Sequence, residues 1–321
     1  MPTRIDVLRE NGLERIILQN EAIRAVILPD LGGKIGSLVN LKTGREFLLQ
    51  PFDRPYSRAR YGDSFGAYDS SGFDECLPTI AACSYPSEPF SGANLPDHGE
   101  VWSLPWKYEI RNEELVLDVD GVALPYNLRR TARLSGAALE LDYQITNRSE
   151  HGFHYLWSAH PALTVEPGAE IVLPPGVHEV SVDFSVGNRL PLGKAVAWPA
   201  ARAPNGSTVN LNFLGGREAG TADKLFTPRL SEGYCGLRFP SAKESIFFRF
   251  DPGAVPFVGL WICQGGFPLD RPAQFTVALE PCSGRPDLLT RAIANNECPE
   301  LAPHASRSWS LRLELEPGIH H

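Results

Sequence analysis

Leu139-Glu140-Leu141-Asp142-Tyr143-Gln144-Ile145 alternates apolar and polar residues without a break. A strand turns successive side chains to opposite faces, so the stretch reads as a strand with one buried and one wet face. Short strands recur on both sides of it. Residues 14–19, 24–28, 34–40 and 46–49 come first, then 106–112, 115–119 and 127–134. Residues 138–146 enclose the opening stretch, and 308–315 close the series. The 29 Gly and 28 Pro between such runs leave little room for long helices. Arg9-Glu10-Asn11-Gly12 and Lys42-Thr43-Gly44-Arg45 supply turns. One segment reads as a helix, residues 287–295, with Leu288, Leu289, Ala292 and Ile293 as its apolar positions and Pro286 tolerated in its first turn. Many short strands and one late helix predict an all-β sandwich or barrel. With no internal repeat, linker or low-complexity tract, residues 1–321 are expected to form a single domain.

The chain has 321 residues, is 43% hydrophobic and carries a formal net charge of −8. That is ample material for a large core. No basic stripe is present to meet phosphates, so nucleic-acid binding is not expected. No run approaches the roughly 18 apolar residues of a membrane helix. The first ten residues carry charges where a signal peptide has its apolar region. Six cysteines show no C-x-x-C pair, and several sit in apolar runs where a thiol acts as a small hydrophobe. A reduced, cytoplasmic protein is the expectation, with a monomer or homodimer left open. The closing Gly318-Ile319-His320-His321 reads as a disordered end rather than a metal site.

Two distant stretches end alike. Phe153-His154-Tyr155-Leu156-Trp157-Ser158-Ala159-His160-Pro161 reads as a strand delivering a histidine to a proline. Phe275-Thr276-Val277-Ala278-Leu279-Glu280-Pro281 delivers a glutamate to a proline. A histidine and a carboxylate beside one cleft are the minimum for paired acid–base chemistry. By alternation, Phe153, Tyr155 and Trp157 face the core, and His154, Leu156, Ser158 and His160 the other side. Likewise Phe275, Val277 and Leu279 form a core stripe, leaving Thr276, Ala278 and Glu280 on a face of small side chains. The plainer readings are a structural histidine and a strand-end carboxylate in water. Asp97-His98-Gly99-Glu100-Val101-Trp102 is a polar loop whose glycine permits close approach of a ligand, or a surface turn. Trp261 shares its face with Gly259 and Cys263, which leaves space beside an indole able to stack on a sugar, though a core tryptophan has the same pattern. Gly72-Phe73-Asp74-Glu75 offers adjacent carboxylates, which a strand points to opposite sides.

No metal is expected: His151 and His154 fall on opposite faces, and no nearby Cys or Glu completes a set with His160. Leu31-Gly32-Gly33-Lys34-Ile35-Gly36 lacks the dinucleotide-binding order. Asp118-Val119-Asp120-Gly121 lacks the downstream glutamate of a calcium loop.

At these residues the chain resembles the aldose 1-epimerase (galactose mutarotase-like) family, as a divergent branch. The likeness rests on Leu156-Trp157-Ser158-Ala159-His160-Pro161, on Ala278-Leu279-Glu280-Pro281, on Asn94-Leu95-Pro96-Asp97-His98-Gly99 and on Asp223 in Thr221-Ala222-Asp223-Lys224-Leu225-Phe226. Their order and broad spacing agree across nearly the whole chain. The resemblance implies a β-supersandwich and a cofactor-free anomer exchange. His160 would be the general acid at the ring oxygen and Glu280 the general base at the anomeric hydroxyl. His98, Asp223 and Trp261 would hold the sugar, and Asp74 and Glu75 align with a Gly-x-Asp-Glu stretch. His160 is followed by Pro161-Ala162-Leu163, where galactose mutarotases carry Tyr-Phe-Asn-Leu shortly after the histidine. The family's substrate-binding arginine segment has no match, which leaves Arg58, Arg60 and Arg129 as open choices. Glu100 after His98-Gly99 would repel a phosphate, so a neutral aldose is the expected substrate. A non-catalytic carbohydrate-binding or sensing protein on the same scaffold is the alternative, and a lyase or epimerase acting on an acidic sugar a third reading.

Overall fold

The structure, a computed structural model, describes residues 2–241 and 243–317. The closing segment at 318–321 lies outside the described residues. Two antiparallel sheets pack face to face as an all-β sandwich. The first has 11 strands, in the spatial order Arg4–Glu10, Leu13–Gln19, Ile23–Leu28, Lys34–Asn40, Phe73–Cys76, Ser158–Thr164, Phe275–Cys282, Phe257–Gln264, Thr221–Phe226, Glu179–Ser185 and Ala195–Ala197. The second has eight: Glu170–Val172, Tyr234–Phe239, Glu244–Phe250, Ser306–Pro317, Ala138–Asn147, Tyr126–Ser135, Glu114–Asp120 and Lys107–Arg111.

The alternating stretch does what its pattern predicts. Leu139, Leu141, Tyr143 and Ile145 are buried in the core of the sandwich. Each contributes roughly 1.5–3 kcal/mol by leaving water, which fixes the strand's register. On the outer face Glu140 accepts from Arg133 Nε at 2.8 Å and Asp142 from Ser310 Oγ at 2.6 Å. Buried polar groups also join the two sheets. Glu75, wholly buried on the first, accepts from Arg130 Nη1 and Tyr143 Oη of the second, both at 2.8 Å, and from Trp157 Nε1 at 2.9 Å.

The only α-helix among the described residues is Leu289–Ala294, shorter than expected because Leu288 remains extended and bridges to Ala81, whose N–H donates to the Asp287 carbonyl. Residues 46–49 form isolated bridges rather than a strand. The six cysteines are all unpaired.

Residues 153–161 are not one strand. Phe153–His154 pairs with Glu300–Leu301, the chain then turns, and Ser158–Thr164 begins a new strand. Leu156 and Ser158 are therefore buried, contrary to simple alternation. His160 and Glu280 both lie inside strands rather than at their ends. Between those two neighbouring strands, pairing at Ser158–Cys282 resumes only at Ala162–Ala278. Pro161 and Pro281, which have no N–H to give a ladder, fall in that gap. The ladder opens where the histidine and the glutamate face each other.

Candidate active site

A cavity of about 420 Å³ lies on the outer face of the 11-stranded sheet. Its floor follows from register. Ala162 opposes Ala278, Ala278 opposes Trp261, and Trp261 opposes Lys224. One pleat further along, Glu280 opposes Gly259. Small side chains leave room, and the large polar ones rim it. A Cβ on Gly259 would stand 2.9 Å from Glu280 Oε2 and 3.3 Å from Lys224 Nζ, so a larger residue there would push that pair from its present positions.

Glu280 has no exposed surface. Its Oε2 accepts from the Lys224 ammonium, which also lies 3.5 Å from Asp287 Oδ1. Its Oε1 has no hydrogen-bond partner among the described residues and lies 3.9 Å from His160 Nε2. Burial pushes the Glu280 carboxyl above its ordinary range; Lys224 opposes this and Asp287 adds to it. Burial first, then His98 and Lys224, push the His160 imidazole well below its ordinary range. A carboxylate this close to a histidine ordinarily favours the imidazolium. Desolvation overrides that expectation, because the carboxylate's charge is already matched by Lys224.

His98 closes the cavity from above. Its Nδ1 pairs with Asp97 Oδ1 at 2.9 Å, and its ring stacks on Phe65, centroids 4.0 Å apart. Both rings meet His160 edge to face. Gly99 serves the fold rather than a ligand: at φ 71°, a Cβ there would stand 2.2 Å from the Leu77 carbonyl oxygen. Trp261 lines the cavity, its Nε1 donating to Gln274 Oε1 at 3.4 Å.

His160, Glu280, His98 and Trp261 are thus brought together. Asp223, Asp74 and Glu75, expected at the substrate, stand outside the lining. Asp223 points to the opposite face of its strand from Lys224, is buried, and accepts from Ser185 Oγ and Arg189. Asp74 shares a buried cluster with Lys34 and Asp69, each carboxylate 2.8 Å from the ammonium. Glu75 is committed to Arg130. Arg58 pairs with Asp30 and Arg129 with Asp118, and neither these nor Arg60 line the cavity. Glu100 lies outside it too, buried under Tyr61 and Tyr126, so it repels no ligand. What sequence reasoning missed is Lys224, Asp183, Asp287, Arg271 and Gln274. Four of these five lie in loops or at a bulge, where strand periodicity is silent.

No family model and no curated protein matches the sequence. Solved structures do. A galactose mutarotase related enzyme from Lactobacillus acidophilus superposes with TM-score 0.68 at 17% identity, over 95% of this chain and 99% of that one. A galactose mutarotase-like protein from Clostridium acetobutylicum gives 0.68 at 13%, over 98% and 99%. One from Lactobacillus casei gives 0.64 at 17%, over 94% and 100%. At such identities the likeness is one of fold. The protein has the galactose mutarotase-like fold, over essentially its whole length.

Proposed function

We propose that this protein is an aldose 1-epimerase acting on a neutral aldose, folded as one domain, with Glu280 as general base and His160 as general acid. The observation that carries it is Glu280 Oε1, a buried carboxylate oxygen without a protein partner, facing His160 across the cavity floor. Leaving such an atom unsatisfied costs about 1–3 kcal/mol, which a substrate hydroxyl there would offset. Glu280 takes the proton of the C1 hydroxyl while His160 protonates the ring oxygen, and the bond from C1 to that oxygen breaks. Rotation about C1–C2 and reclosure, with the proton transfers reversed, give the other anomer. The active pair holds one proton in total, and which partner carries it is a property of the pair.

A neutral substrate follows from the lining: carboxylates of Asp97, Asp183, Glu280 and Asp287 outnumber the cations of Lys224 and Arg271. Lys224 is held by Glu280, and Arg271 by Asp53. An anionic sugar meets excess like charge, whereas hydroxyls find acceptors. No cofactor enters these steps.

The test is anomer exchange by NMR on a panel of free aldoses. Glu280→Gln and His160→Asn should each lower turnover by about 10²–10⁴. Turnover near wild type in either variant removes that residue from the mechanism. Sugar binding without accelerated exchange would make the protein a binding or sensing module.

A further inference from the structure

The cavity is longer than the ring it would need to open. From the Glu280 strand, three steps across the sheet reach the strand Glu179–Ser185, which carries Phe184. Neighbouring strands lie about 4.8 Å apart, so the floor extends about 14 Å sideways from the histidine–glutamate end. A pyranose built of bonds of about 1.5 Å spans, with its hydroxyls, about 8–9 Å between its outer surfaces, which leaves part of that floor uncovered.

The far end is aromatic. Phe184 and Phe267 line it and remain 38% and 40% exposed. Their rings stand against Trp261, centroids 5.9 Å and 5.5 Å away, and 6.2 Å from each other. The three planes are not parallel: Phe267 lies at 89° to the indole and Phe184 at 34°. Together they wall an apolar corner.

A bulge brings a polar group to the same place. Register between Glu179–Ser185 and Thr221–Phe226 shifts between Val182 and Phe184, so Asp183 is the extra residue. Asp183 and Phe184 consequently both line the cavity, which alternation would forbid. The Asp183 carboxylate accepts no hydrogen bond from the described residues. Apolar ring faces beside a free carboxylate match the chemistry of a pyranose, with C–H groups on its faces and hydroxyls on its edge.

We infer that Trp261, Phe184, Phe267 and Asp183 form a second subsite that takes another pyranose ring, making a reducing disaccharide the preferred substrate. This rests on the mutarotase reading, and one experiment separates the two. Anomer exchange is measured on glucose with maltose, cellobiose and melibiose, all three of which end in a reducing glucose. At least one disaccharide should show kcat/KM about tenfold above that of its reducing-end hexose. In the double variant Phe184→Ala/Phe267→Ala that ratio should fall towards one, each ring being worth about three- to tenfold. Phe184→Leu/Phe267→Leu keeps apolar bulk without the rings and should give the same fall, which excludes misfolding. Hexoses turned over at least as well as every disaccharide, or a ratio unmoved by both variants, overturns the subsite. If no sugar exchanges faster, the mutarotase reading fails and Trp261 fluorescence decides the subsite. Tighter binding of a disaccharide than of its hexose sustains it, and equal or absent binding overturns it.

Discussion

Replacing Lys224 by methionine tests how the buried carboxylate is kept charged. Glu280 has no exposed surface and the Lys224 side chain only 8%, so the pair is shielded from solvent. Removing one partner of such a pair typically costs about 3–5 kcal/mol. Here the cost has a ceiling, because Glu280 can take a proton instead. From an ordinary value of 4.5, protonation at pH 7 costs about 3.4 kcal/mol at 1.36 kcal/mol per unit, and at pH 5 about 0.7 kcal/mol. The sign follows from linkage. Lys224→Met raises the folded-state pKa of Glu280 further above its unfolded value. Stability is therefore retained below the unfolded pKa and lost as pH rises through the folded one. The double variant Lys224→Met/Glu280→Gln is the reference, since it carries no charge to strand. Urea unfolding should find the single variant about 3 kcal/mol less stable than the double at pH 7, the two converging near pH 5. Equal stability at pH 7, or a gap that does not vary with pH, would refute the reasoning.

Two further outcomes follow from the same chemistry. Burial raises Glu280 and lowers His160, so the pair gains and loses its shared proton away from the free side-chain values. Both flanks of kcat/KM against pH should therefore be displaced from those of free Glu and free His, and a profile with both flanks at the free values would refute the burial argument. Glu75→Gln leaves Arg130 without its carboxylate in the core and should cost about 3–5 kcal/mol in chemical denaturation. A stable Glu75→Gln protein with weakened sugar binding would return Glu75 to the site.

Local periodicity reached most of the fold and half of the site. Residues 139–145 declare their strand, because burial of four alternate side chains admits one register. Thr276, Ala278, Glu280 and Trp261 were legible for the same reason: each strand sorts its own faces. Which face of Thr221–Phe226 looks into the cavity was not. Asp223 and Lys224 are adjacent, and only the pairing of Lys224 with Trp261 decides between them. That pairing is made across more than 30 residues of chain and leaves no local trace. Asp287 was hidden by an apolar pattern that suggested helix. Phe267 and Gln274 lie in or beside a connecting loop whose path no strand rule dictates. His160 and Glu280 do line the cavity, but not at strand ends: their prolines were read as strand terminators, yet both strands continue through them.

The strand Phe73–Cys76 has a consequence for how this protein can change. Asp74 lies opposite His160 on one face, and one residue later Glu75 on the other face clasps Arg130 of the second sheet. Four residues thus tie the floor of the cavity to the middle of the molecule. Inherited variation should be unequal in its effects. Exchanges on the loop that carries Phe267 alter the mouth alone, whereas a repacking around Trp157 or Tyr143 reaches His160 through Glu75 and its neighbour Asp74. Directed selection for new ligands should accumulate its successes on the rim and find the floor nearly immutable.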